Sequence, residues 1–148
     1  MLYIKNMNTV TKMNLEKKEV FSISLEDLFA MVCNYFRVNV VSASQPSRKK
    51  ELKHVRQVAH YLAVCHTDYS LSSIGMAIGF KDHATVLNSK RVILNENTPL
   101  QNGFILNRKL AKDIAILRIK LRQKEMNIDF DYYNTIGTLV SYLNYSEQ

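Results

Sequence analysis

The most informative feature of this chain is a predicted turn between two helices. Residues 70–78, Ser-Leu-Ser-Ser-Ile-Gly-Met-Ala-Ile, predict a short helix with Ser70 as its N-cap. Gly79 follows where a left-handed residue commonly ends a helix. Asp82 is a second N-cap, and its carboxylate complements the positive end of the next helix dipole. The sequence therefore predicts a helix-turn-helix whose second helix begins at His83.

The second helix has two chemically different faces. A helical wheel predicts a buried face, made of Val86, Leu87, Lys90, Ile93 and Leu94. The opposite face carries small or polar residues and one arginine: Ala84, Thr85, Asn88, Arg91 and Asn95. No acidic residue occurs from His83 to Asn95, which favours close approach to DNA. A DNA-binding helix-turn-helix inserts the N-terminal turn of its second helix into the major groove, so this face is the predicted DNA-contacting surface.

The positive charge of the chain is concentrated beside this motif. The 148 residues carry a formal net charge of +7, and residues 48–95 alone contribute +5. Such a concentration is typical of a surface that binds phosphate. It includes the run Arg48-Lys49-Lys50. This run is either a solvated stretch of charge or a loop that inserts an arginine into a narrow minor groove, where the negative potential is strongest.

The remaining pattern predicts an all-α fold. Ser24 caps a helix that ends near Phe36 or Arg37, and its apolar stripe is Leu25, Leu28, Phe29, Val32 and Phe36. Residues 38–46 are predicted to form a connector. A long helix then runs to about Cys65 on an apolar face of Leu52, Val55, Val58, Ala59 and Leu62. Residues 1–21 are predicted to be a flexible arm, and residues 22–97 the domain that holds the helix-turn-helix.

Residues 98–148 are predicted to be a helical tail. Pro99 and Gly103 mark a boundary. Two amphipathic segments follow, 104–126 and 130–144, and predict a C-terminal helical hairpin. Its apolar stripes fit two interpretations. The hairpin either packs on the domain or forms a homodimer through residues 104–144.

The sequence gives little support to catalysis or metal binding. Cys33 and Cys65 are far apart and match no metal-ligand spacing, which indicates two reduced, buried thiols. His54, His60 and His66 are six residues apart and do not share a helix face. We expect a protein without enzymatic activity or cofactor. The polar N-terminal residues do not resemble a signal peptide, and no window is apolar enough for a membrane span, so we expect a cytoplasmic, nucleoid-associated protein.

Residues 22–97 resemble the C-terminal DNA-binding domain of the bacterial replication initiator DnaA. That family has a basic loop, a helix containing Arg-Gln, the pattern Ser-Leu-x-x-Ile-Gly, and a closing Asp-His-(Thr/Ser)-Thr-Val. Here these are Ser47-Arg48-Lys49-Lys50, Arg56-Gln57, the segment 70–75 and the segment 79–87. The resemblance implies a helix-turn-helix of the Trp-repressor type.

The resemblance also implies a role for each matching residue. Arg48 would enter the minor groove, with Lys49 and Lys50 beside it. Asp82, His83, Ala84 and Thr85 would open the recognition helix and contact bases, and Asn88 stands where the family has histidine. Phosphates would be contacted by three basic residues: Arg56, Lys81 and Arg91. Ser70 and Ser72, at the start of the preceding helix, complete the predicted set of DNA-binding residues.

Several positions depart from the family pattern. Ala84 replaces a hydroxyl residue, so it offers at most an apolar contact to a thymine methyl. Phe80 replaces a glycine in the turn, and Val55 replaces a proline. The glycines, at positions 75, 79, 103 and 137, form no phosphate-binding loop. We therefore expect the DNA-binding module as a stand-alone protein without the family's ATPase.

Two functions are consistent with these observations. The first is sequence-specific binding of double-stranded DNA, in replication-origin binding, replication control or transcription regulation. The second is a protein-interaction module that keeps the fold but has lost specific DNA recognition, with a replication protein as its partner. Phe80 and Ala84 motivate the second, because a lost base contact is consistent with a lost DNA target.

Overall fold

The computed structural model describes residues 19–97 and 107–126, and within these ranges all regular structure is helical. The six helices are α1 (Leu25–Tyr35), α2 (Val40–Ser44), α3 (Lys50–His66), α4 (Leu71–Ala77), α5 (His83–Asn97) and α6 (Arg108–Glu125). The predicted all-α helix-turn-helix fold is confirmed. The predicted arm, apart from residues 19–21, and the second helix of the hairpin at 130–144 lie outside the described residues.

Three helices begin at the side chains that the sequence predicts as N-caps. The Ser24 hydroxyl accepts a hydrogen bond from the Asp27 N–H at 3.1 Å, and Ser70 accepts one from Ser73 at the same distance. The Asp82 carboxylate accepts one from the Thr85 N–H at 2.8 Å. Each cap satisfies an amide that has no partner within the helix and contributes about 1 kcal/mol.

The prediction of a plain connector at residues 38–46 is wrong, because α2 lies within it. The Asn39 side chain caps α2 by accepting from the amides of Val41 and Ser42 at 2.8 and 3.3 Å. Ala43 is the buried residue of α2. A helix of five residues gives almost no periodicity, and two adjacent valines disfavour a helix intrinsically. The cap and the burial of Ala43 outweigh that preference.

Helix α3 is the central element of the core. Val58, Ala59 and Leu62 are fully buried, and α3 packs against α1, α2, α4 and α5. Its length lets one of its faces contact the helix-turn-helix while another contacts α1.

The buried face of α5 is rotated from the predicted one by roughly 60–70° on a wheel of 100° per residue. Val86, Ser89 and Ile93 are buried, whereas Leu87 and Leu94 are 42% and 41% exposed. The prediction was wrong for those two leucines because it used hydrophobicity alone. Ser89 is buried instead because it has a buried hydrogen-bond partner, the imidazole of His60.

Helix α6 packs on the rest of the chain through four buried residues: Leu110, Ile114, Leu117 and Leu121. Polar contacts flank this stripe. The Tyr35 hydroxyl donates to Asp113 at 2.5 Å. Arg118 donates to His66 Nε2 at 3.0 Å and to the Tyr61 hydroxyl at 3.1 Å.

Among the described helices, none is both long and apolar enough to span a bilayer.

We predict that Gly75→Ala destabilises the helix-turn-helix. A Cβ at this position would lie 2.1 Å from the Lys81 carbonyl oxygen, and the Lys81 N–H donates to the Gly75 carbonyl at 2.8 Å. Backbone atoms held by such a bond cannot move away cheaply, so we expect a loss of about 2–3 kcal/mol in unfolding free energy. Urea denaturation measures it. Met76→Ala, at a 61% exposed neighbour, is the control, and equal stability of the two variants would contradict the prediction.

We predict that stability falls as the pH is lowered through about 6.5. Burial lowers the pKa of His54, His60 and His66 below the ordinary 6.5. Below that value the unfolded chain binds protons that the folded chain does not, so this stability is present above pH 6.5 and decreases below it. Thermal denaturation between pH 7.5 and pH 5 measures the effect. A melting temperature that stays constant or rises toward pH 5 would contradict it.

Candidate nucleic-acid interface

The first turn of α5 is held rigidly by Asp82. Besides its bond from the Thr85 N–H, the Asp82 carboxylate accepts from the Thr85 hydroxyl at 2.7 Å. The bond from the Thr85 hydroxyl has the larger effect and the bond from the Thr85 N–H the smaller. Together they lower the pKa of Asp82 below its usual value, so the carboxylate stays ionised. Because the Thr85 proton is committed to Asp82, the Thr85 oxygen is left as an acceptor. A base amino group is a complementary donor in the major groove.

The predicted contact face of α5 is open to solvent. His83, Ala84, Thr85, Asn88 and Arg91 are all exposed, and Asp82 precedes them in the same turn. The face shares a groove of about 420 Å³ with the basic loop, lined by Ser47, Arg48, Lys53, Arg56, Gln57, His60, Lys81, Thr85, Asn88 and Ser89. The two segments that the sequence assigns to different grooves of DNA therefore lie side by side.

The other predicted residues take different positions. Lys49 and Lys50 are exposed where the loop enters α3. Ser70 serves as the cap of α4, and its hydroxyl donates to that of Ser73 at 2.9 Å. Ser72 is exposed in the first turn of α4. Neither serine lines the groove. Lys53 and Gln57 do line the groove, but the sequence did not predict them as site residues. They are four residues apart and hence lie on one face of α3.

Arg56 lies beneath the basic loop rather than on the surface. Its side chain is only 5% exposed. The guanidinium donates to the carbonyl oxygens of Ala43 at 3.1 Å, Gln45 at 3.4 Å and Ser47 at 2.7 Å. This use differs from the predicted phosphate contact, because the guanidinium is already bound to the backbone that precedes Arg48. The sequence signal was ambiguous, since an arginine beside a basic run fits either role.

The turn between α4 and α5 has two consecutive left-handed residues. Gly79 has φ +84° and Phe80 has φ 53°. A Cβ at Gly79 would lie 2.7 Å from the Arg56 Cδ, so the turn rests directly on the Arg56 side chain. A left-handed phenylalanine costs about 1–2 kcal/mol. This cost explains why the DnaA pattern has glycine at the position of Phe80. The phenyl ring itself is 74% exposed.

His60 lies beneath the turn and was not predicted as part of the site. Its ring lines the floor of the groove, and both of its nitrogens make buried hydrogen bonds. In the part of the chain that the structure describes, no group of three or more histidine, cysteine or acidic residues is arranged to hold a metal ion.

A comparison with known families agrees with this geometry. Residues 25–93 match the family model of the bacterial DnaA protein helix-turn-helix. The domain formed by these residues is similar to the DnaA helix-turn-helix domain. The match begins at the first residue of α1 and ends within α5, so it includes the basic loop, α3 and the turn that form the groove.

Individual relatives match the same region. The chain is 43% identical over 75 residues to the chromosomal replication initiator protein DnaA of Bacteroides fragilis, covering 51% of this chain and 16% of the relative. It is 40% identical over 82 residues to that of Porphyromonas gingivalis, covering 55% and 17%. It is 33% identical over 100 residues to that of Bdellovibrio bacteriovorus, covering 68% and 20%. The chain thus matches a sixth to a fifth of the length of these DnaA proteins.

We predict that Arg56→Ala releases the basic loop. The change removes three hydrogen bonds from a charged donor and leaves their carbonyl acceptors unpaired, so we expect a loss of about 3 kcal/mol in unfolding free energy. Trypsin should also cleave more rapidly after Arg48, Lys49 or Lys50. Chemical denaturation and timed proteolysis measure the two effects.

Lys53→Ala is the control, because Lys53 is an exposed cation of the same helix. Arg56→Lys should recover only part of the stability, since an ammonium lacks the planar fork that reaches several carbonyls. Equal stability and equal cleavage in the Arg56→Ala and Lys53→Ala variants would refute a structural role for Arg56.

Proposed function

We propose that this chain binds double-stranded DNA in a sequence-specific manner and acts in replication-origin binding and replication control. The observation that carries the proposal is the groove in which the open face of α5 and the basic loop meet. A polyanion with two grooves fits this arrangement, with α5 in the major groove and the loop in the adjacent minor groove. The match to DnaA helix-turn-helix domains supports replication over transcription regulation.

The proposed contacts fall into three classes. His83, Thr85 and Asn88 contact base edges, and Ala84 contacts a thymine methyl. Arg48 enters the minor groove. The remaining residues contact phosphates, which position the protein without specifying sequence: Lys49, Lys50, Ser70, Ser72, Lys81 and Arg91. Asp82 acts through Thr85, whose orientation it fixes.

The tail has a narrower role in this proposal than the sequence alone allows. The stripe that would form a homodimer includes Leu110, Ile114, Leu117 and Leu121, and these side chains are buried within the chain. We therefore propose that α6 supports the DNA-binding domain. A homodimer would have to use other surfaces of the chain. The proposed location is the nucleoid, where the DNA is.

We predict that two substitutions separate affinity from specificity. Wild-type protein first selects duplexes from a random pool, and binding of the enriched duplex is then titrated at several salt concentrations. Arg48→Ala should weaken binding and reduce the salt slope by about one. His83→Ala should cost about 1–3 kcal/mol of binding free energy and relax the preferred sequence. Lys124→Ala is the control, because it removes a charge from α6, away from the groove.

The proposal fails if neither Arg48→Ala nor His83→Ala differs from Lys124→Ala. It also fails if the selection enriches no sequence and binding disappears with modest added salt. That second outcome would leave only phosphate attraction and would favour the protein-interaction module.

A further inference from the structure

His60 joins the turn and the recognition helix from below. Its side chain is 1% exposed. The ring Nε2 lies 2.9 Å from the Ile78 carbonyl oxygen, and Nδ1 lies 2.9 Å from the Ser89 hydroxyl. Ile78 immediately precedes the left-handed pair at 79 and 80, and Ser89 lies in the middle of α5. One ring on α3 thus contacts both segments that determine how α5 is presented.

The positions of the protons in this contact follow from the groups that can only accept a hydrogen bond. A carbonyl only accepts, so in a neutral imidazole the single N–H is on Nε2 and points to Ile78. Nδ1 then accepts from the Ser89 hydroxyl. That hydroxyl also lies 3.0 Å from the Thr85 carbonyl oxygen, so its one proton is shared between His60 and the first turn of α5. Ser89 therefore connects the buried ring to the backbone of a proposed base-contacting residue.

The surroundings keep the ring neutral. Burial lowers the pKa of His60, and the nearby charges of Arg56 and Lys81 act in the same direction, opposed by the bond to Ile78. The neutral ring has one donor and one acceptor, each in use. Replacement by a side chain without these nitrogens would leave the Ile78 carbonyl unpaired and free the Ser89 hydroxyl to bond to Thr85 alone.

Arg56 lies one helical turn before His60 and bonds to further segments of the same region. Arg56 donates to carbonyl oxygens of α2 and of the loop that follows it and lies against Gly79, whereas His60 bonds to Ile78 and Ser89. The loop, the turn and the recognition helix are therefore fixed to one face of α3 by two buried polar side chains. Apolar packing alone tolerates small shifts in register, but a pair of directional hydrogen bonds does not.

We propose that His60 is a positioning residue for base recognition, which fixes the register of α5 relative to the turn through Ser89 and Ile78. The proposal rests on the proposed function, because it requires a preferred DNA sequence. Its distinguishing consequence is a loss of sequence preference that is separate from any loss of stability. A histidine that only fills the core would affect stability and leave the preference of the folded molecules unchanged.

The test compares His60→Met and Ser89→Ala with the full-length wild type. Methionine fills the volume without either nitrogen, and alanine removes only the shared hydroxyl. Dissociation constants are measured for the duplex selected by the wild type and for a scrambled duplex, at pH 7.5, fixed salt and a temperature well below every melting temperature. We expect the ratio of the two constants to fall about tenfold, comparable to one mismatched base pair, with little change for the scrambled duplex.

Leu121→Ala is the matched control, because Leu121 is equally buried but lies in α6. It should lower the melting temperature and preserve the ratio. A ratio that falls in His60→Met but is kept in Leu121→Ala supports the positioning role. A ratio kept in His60→Met, or lost equally in Leu121→Ala, overturns it. If His60→Met does not fold, Ser89→Ala decides alone.

The wild-type measurement alone tests the proposed function, before any variant is compared. A wild type that does not distinguish its selected duplex from the scrambled one overturns the proposed function, and the positioning role with it. A wild type that distinguishes them, alongside variants that do so equally well, overturns the positioning role alone.

Discussion

Two buried polar side chains on α3 are the contacts on which the arrangement of the interface depends. Arg56 and His60 are one turn apart, 5% and 1% exposed, and every hydrogen bond described for them goes to another segment. A buried polar group without a partner is costly. The loop, the turn and α5 are therefore held where their carbonyl and hydroxyl groups can meet these two side chains. The geometry of the proposed DNA-binding surface is therefore determined by these two buried side chains.

The turn adds a backbone constraint to this polar one. The chain turns between Ala77 and His83, where the Lys81 N–H donates to the Gly75 carbonyl at 2.8 Å. No room remains for a side chain at Gly75, and Gly79 lies against Arg56. Phe80 adopts a left-handed conformation that phenylalanine seldom takes. We interpret this strain as tolerated because the contacts on either side fix the path of the chain.

Helix α3 serves a second region with its other side chains. Tyr61 and His66 face α6, where Arg118 donates to both, and the Phe21 N–H donates to the His66 carbonyl at 2.8 Å. Residues 53, 56, 57 and 60 of the same helix line the groove. Closure of the core by α6 and formation of the proposed DNA surface thus use different side chains of one long helix.

Local sequence patterns were enough to predict the longer helices, three of the caps and the exposure of the proposed contact face. Ser24, Ser70 and Asp82 cap as predicted, Gly79 is left-handed, and His83, Thr85, Asn88 and Arg91 are exposed. Which polar residues are internal was evident from the folded arrangement alone. Arg56 was predicted to contact phosphate, Ser89 was not predicted in the core, and His60 was considered only as a metal ligand. Burial of a polar side chain depends on a partner that is distant in sequence, and local periodicity carries no information about that partner.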